Sequence, residues 1–368
     1  MPPAELGGSV SSVDTPALLV DLNAFEANMA QVHRLAKDSG VAVRSHAKAH
    51  KSVDIALMQI AAGAIGICCQ KASEAQVFVQ AGIKNVLISN EIFGASKADR
   101  VARLAKHAQV AICVDALVQV DQLANAASKH KACIEIYIEI DLGHGRCGVT
   151  DGQSALQLAR AIASHSPQLK LAGLHAYRGS AQHVRDPSER KNAFDQAVEK
   201  LKAIIALLES NGHTIITVTG GGTGTYELEA GSGVYTEVQP GSYVLMDADY
   251  ALNKPDANMP ALQHALFGLC TVMSVCQTHA VLDGGLKAFA VDSGLPKMVL
   301  PGWSVKSMSD EHMVITAAPG VEPLQIGDKV RLIPGHCDPT VNLHDWLIAT
   351  RGQVVEQIWP VNARGALF

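Results

Sequence analysis

The sequence predicts an α/β protein: an N-terminal (β/α)8 barrel followed by a C-terminal all-β domain. Two observations predict it. Up to about residue 240, apolar runs alternate with amphipathic helical patterns, and the runs are continuously apolar, which implies burial on both faces as in a parallel sheet. Beyond about residue 260, short β-like runs follow one another, punctuated by Gly, Pro and Asp with no long helix between them. Eight strand-and-helix units over roughly 200 residues match a closed barrel better than an open sheet. A doubly wound sheet is the runner-up.

In chain order, Ala17-Leu18-Leu19-Val20-Asp21 reads as a strand. Leu22, Phe25, Met29, Val32 and Leu35 then recur at helical steps, and Gly40 suits the helix end. Barrel strands are expected at 41–47, 65–70, 85–90, 109–115, 133–141, 170–177, 214–219 and 234–238, with helices such as Ala95–Ala108 and Asn192–Leu208 between them. The β-like runs of the second domain are Leu269–Val275, Ala288–Asp292, Met313–Thr316, Lys329–Ile333 and Gln353–Ile358. The boundary falls around Tyr250–Gln263, where Asn253-Lys254-Pro255-Asp256 is turn-rich. The expected division is therefore a barrel over 23–255 and a β domain, carrying the metal motif, over 1–22 and 256–368. The first strand, within 1–22, is free to return to that β domain.

Composition narrows the function. Hydrophobic residues make up 48% and charged residues 18%, which indicates a globular chain. A formal charge of -5 supplies no basic field for nucleic acid. No apolar run reaches the length needed to cross a bilayer, and the N-terminus lacks a secretion pattern. Eight cysteines are scattered without zinc-finger spacing, which suggests a reducing compartment, and cytoplasm is the expected location.

In a parallel barrel, chemistry sits at the carboxyl ends of the strands. Arg44-Ser45-His46-Ala47-Lys48-Ala49-His50-Lys51 lies at the end of the first barrel strand. A lysine there can act as an amine nucleophile if burial and neighbouring cations lower its pKa from about 10.4. Gln70 ends the second strand, Asp141 the fifth, with Arg146 behind it, and His175-Ala176-Tyr177-Arg178-Gly179 the sixth. Gly220-Gly221-Gly222-Thr223-Gly224 follows the seventh and Pro240-Gly241-Ser242-Tyr243 the eighth. Barrels often bind phosphate with those last two loops, and consecutive glycines expose backbone N–H groups. A lysine together with a phosphate pocket suggests pyridoxal phosphate held as a Schiff base. Far along the chain, His336 and Asp338 are spaced to face one way in extended backbone, and imidazole with carboxylate suits a divalent ion such as Mn, Mg, Co or Zn.

Taken together, Arg44–Lys51 and Pro334-Gly335-His336-Cys337-Asp338-Pro339-Thr340 resemble the D-threonine aldolase and D-serine dehydratase family, pyridoxal-phosphate enzymes of the alanine-racemase fold type. The resemblance runs from Asp14-Thr15-Pro16-Ala17 to Trp346; Ser45 stands where the family commonly has proline. It implies that Lys48, not Lys51, carries the cofactor. It also implies that Gln70, Arg146, Tyr177, Gly221, Gly222, Gly241 and Tyr243 line the cofactor pocket, that His336 and Asp338 bind the ion, and that the protein is a homodimer with sites at the interface. The dehydratase members resemble His-Cys-Cys at the metal motif. Asp338 is the aldolase-like choice and favours harder ions such as Mn or Mg.

The expected reaction is retro-aldol cleavage of a D-3-hydroxy amino acid to glycine and an aldehyde. His183 is the candidate base at the β-hydroxyl, with a metal-bound hydroxide as the alternative. A dehydratase acting on D-serine or D-3-hydroxyaspartate, a racemase and a pyridoxal-phosphate carrier protein are the rivals. Asp292-Ser293-Gly294 and Ser309-Asp310-Glu311-His312 read as loops able to reach the site from the β domain, with no role assigned.

Overall fold

The computed structural model describes residues 1–255 and 260–368. Asp256, the last residue of the expected turn and the first of the expected β domain's second segment, lies outside the described residues. The chain divides into two compact units. One comprises Val32–Lys48, Ala56–Gly241 and Gly365–Phe368; the other comprises Met1–Gln31, Ala49–Ile55 and Ser242–Arg364.

The chain opens with β1 (Ala17–Asp21) and α1 (Leu22–Asp38). The barrel follows, closed by eight parallel strands: β2 (Ala42–His46), β3 (Gly66–Cys69), β4 (Asn85–Ile88), β5 (Gln109–Val114), β6 (Ile134–Glu139), β7 (Leu169–His175), β8 (Thr217–Gly220) and β9 (Glu237–Val238). All eight expected strands are present, most of them trimmed by one or two residues. The seventh begins later than expected, at Thr217, because 214–216 form no ladder. The helices are α2 (Val53–Ala61), α3 (Ala72–Gln80), α4 (Ala95–Leu104), α5 (Leu117–His130), α6 (Gly152–Ser164), α7 (Pro187–Ser210) and α8 (Tyr226–Gly231). Asp186 caps α7, its side chain accepting from Ser188 N and Glu189 N, and Pro187 stands in the first turn, where a missing N–H costs nothing.

The apolar strands pack both ways. Cys68, Leu87, Ala111, Cys113 and Tyr137 form one buried cluster with Ala172 against it. The ring closes where β2 pairs β9, Ala42 with Glu237 and Val43 with Val238. β7 runs so close to β8 that a Cβ at Gly173 would lie 2.0 Å from Thr217 O, so only glycine fits there.

The other unit is all-β apart from the start of α1 and short helices. It contains β10 (Leu266–Val275), β11 (Ala280–Leu282), β12 (Lys297–Met298), β13 (Trp303–Met308), β14 (Met313–Ala317), β15 (Lys329–Ile333), the short α9 (Cys337–Val341), β16 (Trp346–Arg351) and β17 (Val354–Pro360). Among the described residues these join β1 in a nine-stranded sheet, ordered β13-β14-β11-β10-β1-β16-β17, with β15 pairing β10 and β12. β1 does return to this sheet, antiparallel to β10 (Ala17 with Leu269) and parallel to β16 (Leu18 with Leu347).

The expected strand at Ala288–Asp292 is absent. Ala288 N and Phe289 N both donate to Gly285 O, at 2.9 and 3.0 Å, which makes a turn. The run is apolar because Phe289, 1% exposed, fills the space over Gly268, where a Cβ would lie 2.1 Å from its ring. Core burial, not strand pairing, wrote that pattern.

Candidate active site

The barrel unit gathers polar residues at the carboxyl ends of its strands. Lys48 sits in a single 3-10 turn, Ala47–Ala49, that begins where β2 stops. Its N–H donates to His46 Nδ1 at 3.3 Å. His46 Nε2 in turn lies 3.1 Å from Ser89 Oγ and 3.0 Å from the Gln70 amide nitrogen, so the ends of β2, β3 and β4 share one polar cluster. Gln70 N donates to Glu74 Oε2 at 2.8 Å, which holds the turn into α3. Two other cations of the basic stretch make contacts on other elements. Arg44 pairs with Glu237 inside the barrel unit, and in the β unit Lys51 Nζ donates to Asn342 Oδ1 at 2.9 Å.

At the ends of β6 and β7 a second cluster forms. His175 Nδ1 lies 2.6 Å from Glu139 Oε2, with both side chains under 5% exposed. His175 Nε2 faces Gln239 Oε1 at 3.2 Å, so both ring nitrogens point at acceptors. Burial pulls the His175 pKa down, but the Glu139 carboxylate beside it outweighs burial and the net shift is upward. Asp141 Oδ1 accepts from Gly143 N and His144 N, both at 2.8 Å, and so shapes the loop that carries Arg146. The Arg146 guanidinium lies 5.6 Å from the Tyr177 ring centroid and 3.9 Å from Glu139 Oε1.

The loop after β8 is built around glycine. Gly221 has φ +74, and a Cβ there would lie 2.9 Å from Glu229 Cδ. A Cβ at Gly222 would meet Gln182 Oε1 at 2.5 Å and Tyr177 Cε2 at 3.3 Å. Gln182, fully buried, clamps the loop: its Oε1 accepts from Gly224 N at 3.0 Å and its Nε2 donates to Thr225 Oγ1 at 2.7 Å. Thr225 Oγ1 donates to Glu229 Oε1 at 2.8 Å. Burial pushes the Glu229 carboxyl up to about 8, although the Thr225 bond works against it. Thr223 Oγ1 is buried with no protein partner. An orphaned hydroxyl beside a glycine loop is what a phosphate would satisfy, so these residues fit the phosphate end of the expected cofactor.

In the β unit, His336 is extended and caps α9, while Cys337–Val341 are helical. The expected extended backbone through Asp338 is therefore replaced by a helix start. A carboxylate at the second helical position and proline at the third both suit a first turn. Asp338 Oδ1 accepts from Ser242 Oγ at 3.0 Å, next to Tyr243, which is fully buried. His336 Nδ1 lies 2.6 Å from Asp292 Oδ2. Imidazole and carboxylate donors one residue apart fit a hard or borderline divalent ion that keeps further positions for water or substrate. Two other groups have ligand-like spacing, Cys113–Glu139–His175 and Glu91–Asp115–Cys147. In the first, His175 Nδ1 and Glu139 Oε2 already face each other at 2.6 Å, and burial holds the Cys113 thiol well above its usual pKa.

Of the expected site residues, the barrel unit holds Lys48, Gln70, Arg146, Tyr177, Gly221, Gly222 and Gly241, and the β unit holds Tyr243, His336 and Asp338. His183 lies in an exposed turn after the 3-10 helix Gly179–Ala181. Sequence patterns passed over Ser89, Gln182, Thr223 and Glu229, and named Asp292 only as part of a loop with no role. Only Thr223, inside the glycine run, lay within a stretch that had drawn notice for phosphate.

A closed eight-stranded barrel in one chain with this β unit is the architecture of the alanine racemase fold. The alanine racemase N-terminal domain family matches residues 20–249, and the family described as "Putative serine dehydratase domain" matches 265–350. D-threonine aldolase from Arthrobacter sp is 44% identical over 99% of this chain and 96% of its own length. The 3-hydroxy-D-aspartate aldolase of Paracoccus denitrificans (strain Pd 1222) is 45% identical over 99% of this chain and 95% of its own. The crystal structure of D-threonine aldolase from Filomicrobium marinum superposes with a TM-score of 0.97 at 44% identity, covering 100% of both chains. The chain belongs to the D-threonine aldolase family of alanine-racemase-fold enzymes, and it is a carbon–carbon lyase. That membership supports a pyridoxal-phosphate cofactor and a divalent metal.

Proposed function

We propose that this enzyme cleaves D-3-hydroxy amino acids of the D-threonine type to glycine and an aldehyde, using pyridoxal phosphate on Lys48 and a divalent ion at His336 and Asp338. The reading is carried by near-full-length identity of 44–45% to two aldolases that act on such substrates by name. The carboxylate at 338, where a dehydratase-like thiolate would prefer a softer ion, supports it.

When bound, pyridoxal phosphate supplies an electron sink at Cα, and the ion lowers the pKa of the β-hydroxyl. The chain's own residues do the rest. Lys48 offers the amine for the cofactor aldehyde. Thr223 Oγ1 and the N–H groups of the Gly221–Gly222 loop hold the phosphate. Gln70, Arg146, Tyr177, Gly241 and Tyr243 shape the cofactor pocket. His336 and Asp338 would hold the ion, which would act as a Lewis acid at the substrate hydroxyl, with manganese the favoured metal. His183 accepts the hydroxyl proton as the Cα–Cβ bond breaks. The bonding pair stays with the glycine carbon, which then takes up a proton.

The test is the purified protein with D-threonine. Glycine and acetaldehyde should form, stop on chelation and return with Mn. A keto acid and ammonia would mean dehydration instead, and chelator resistance would favour a racemase. Lys48→Ala should abolish the near-visible absorbance of bound cofactor; an unchanged spectrum would remove Lys48 from the scheme.

The homodimer is supported by the half-exposed apolar residues Leu286, Val291, Leu295, Val299 and Leu300 in one stretch of the β unit. Light scattering should give about twice the 38.8 kDa chain mass. Eight free thiols, five of them buried, are compatible with a cytoplasmic location, and among the described residues no helix is long and apolar enough to cross a membrane.

A further inference from the structure

Asp292 lies 44 positions before His336 in sequence, yet its Oδ2 sits 2.6 Å from His336 Nδ1. Ser293 Oγ supports the pair, 3.2 Å from Asp292 Oδ2 and 3.5 Å from His336 Nδ1. The contact is built into the backbone. A Cβ at Gly335 would lie 2.1 Å from Gly294 O, so the chain beside His336 and the chain beside Asp292 touch and only glycine permits it. Gly294 itself has φ +109 and its N–H closes a turn on Val291 O at 3.1 Å. The Pro334–Gly335 side is pinned in turn, its carbonyls accepting from Ala248 N at 2.9 Å and Asp249 N at 3.2 Å.

We infer that Asp292 is the positioning residue for the metal-ligating histidine. Its carboxylate accepts the hydrogen bond from His336 Nδ1–H, which fixes the tautomer with Nε2 unprotonated and sets the plane of the ring, leaving Nε2 to serve as the donor to a cation. This rests on the reading that His336 binds the ion. A loop without an assigned role in the sequence thereby acquires one. The second carboxylate touches the ligand, not the metal.

The experiment uses the full-length protein with pyridoxal phosphate and titrates Mn, reading free Mn by electron paramagnetic resonance. Asp292→Ala should weaken Mn binding about 10- to 100-fold. Asp292→Asn keeps a neutral acceptor for Nδ1–H and should lose less. Cofactor absorbance, and thermal midpoint in chelator, should stay at the wild-type values for both. His336→Ala is the control and should lose the Mn site. If His336→Ala binds Mn as the wild type does, the metal reading itself fails. If His336→Ala loses Mn while Asp292→Ala keeps wild-type affinity, the positioning role fails and the metal site stands. Equal losses in Asp292→Ala and Asp292→Asn, with a lowered midpoint in chelator, would also overturn it, because that pattern reports a folding role only.

Discussion

Arg44 Nε lies 2.7 Å from Glu237 Oε2, and this pair joins the first barrel strand to the last. A second contact, Arg44 NH2 to Glu237 Oε1 at 3.1 Å, makes it bidentate, and NH1 donates to Asn85 Oδ1 at 2.6 Å. β9 is only two residues long, so closure there depends on few ladder bonds. Both side chains are under 9% exposed. Glu237→Ala leaves an uncompensated buried guanidinium and should destabilise the protein by about 3–5 kcal/mol. Replacing both partners by apolar residues should cost less. Urea midpoints for the three proteins check this, and equal midpoints for wild type and Glu237→Ala would contradict it.

Glu229 should make stability depend on pH. Its folded value near 8 lies above the ordinary carboxylate value of about 4.3. Between those limits the folded chain holds a proton that the unfolded chain has released, so stability is highest at the acid end and falls as pH rises toward 8. Glu229→Gln keeps the shape without the titration. Its loss of stability from about pH 5 to pH 8 should be smaller than that of the wild type; identical slopes in urea titrations at the two pH values would refute the assignment.

Gly221→Ala should cripple cofactor binding. The added methyl meets Glu229 Cδ at 2.9 Å in a backbone conformation with φ +74. Titration of the apoprotein with pyridoxal phosphate, followed by absorbance, should show affinity reduced tenfold or more, taking roughly 1.4 kcal/mol per decade. Gly231→Ala, in α8 with open space at its Cβ, is the control and should bind normally.

Asp338→Cys should change which ion binds. A thiolate in place of the carboxylate prefers softer metals, so Zn affinity should rise relative to Mn and Mg. Competition dialysis measures the ratio, and an unaltered Zn:Mn preference would place the ion elsewhere.

The barrel was legible because its strands are buried on two faces. Runs such as Gly66–Cys69 and Val110–Val114 have no polar face to confuse the reading. The β unit was harder: β11, β12, β13 and β16 were passed over, and Phe289 mimicked a strand by filling the core. Lys48 and the glycine loop announced themselves by composition. Gln182, Glu229 and Asp292 did not, because each matters through a partner that only the fold brings near. Gln182 reaches Gly224 across 42 positions, and Asp292 reaches His336 across 44. Local pattern carries no trace of such pairings.

β1 lies between β10 and β16, whose partner residues fall at 266–269 and 347–350. During synthesis β1 therefore waits for residues 266–269 before one edge is covered, and for residues 347–350 before the other is. Until then, an apolar ribbon of Ala17-Leu18-Leu19-Val20 keeps an open edge while the barrel residues emerge behind it. Chaperone demand, and the aggregation of chains truncated before residue 350, should concentrate on that ribbon.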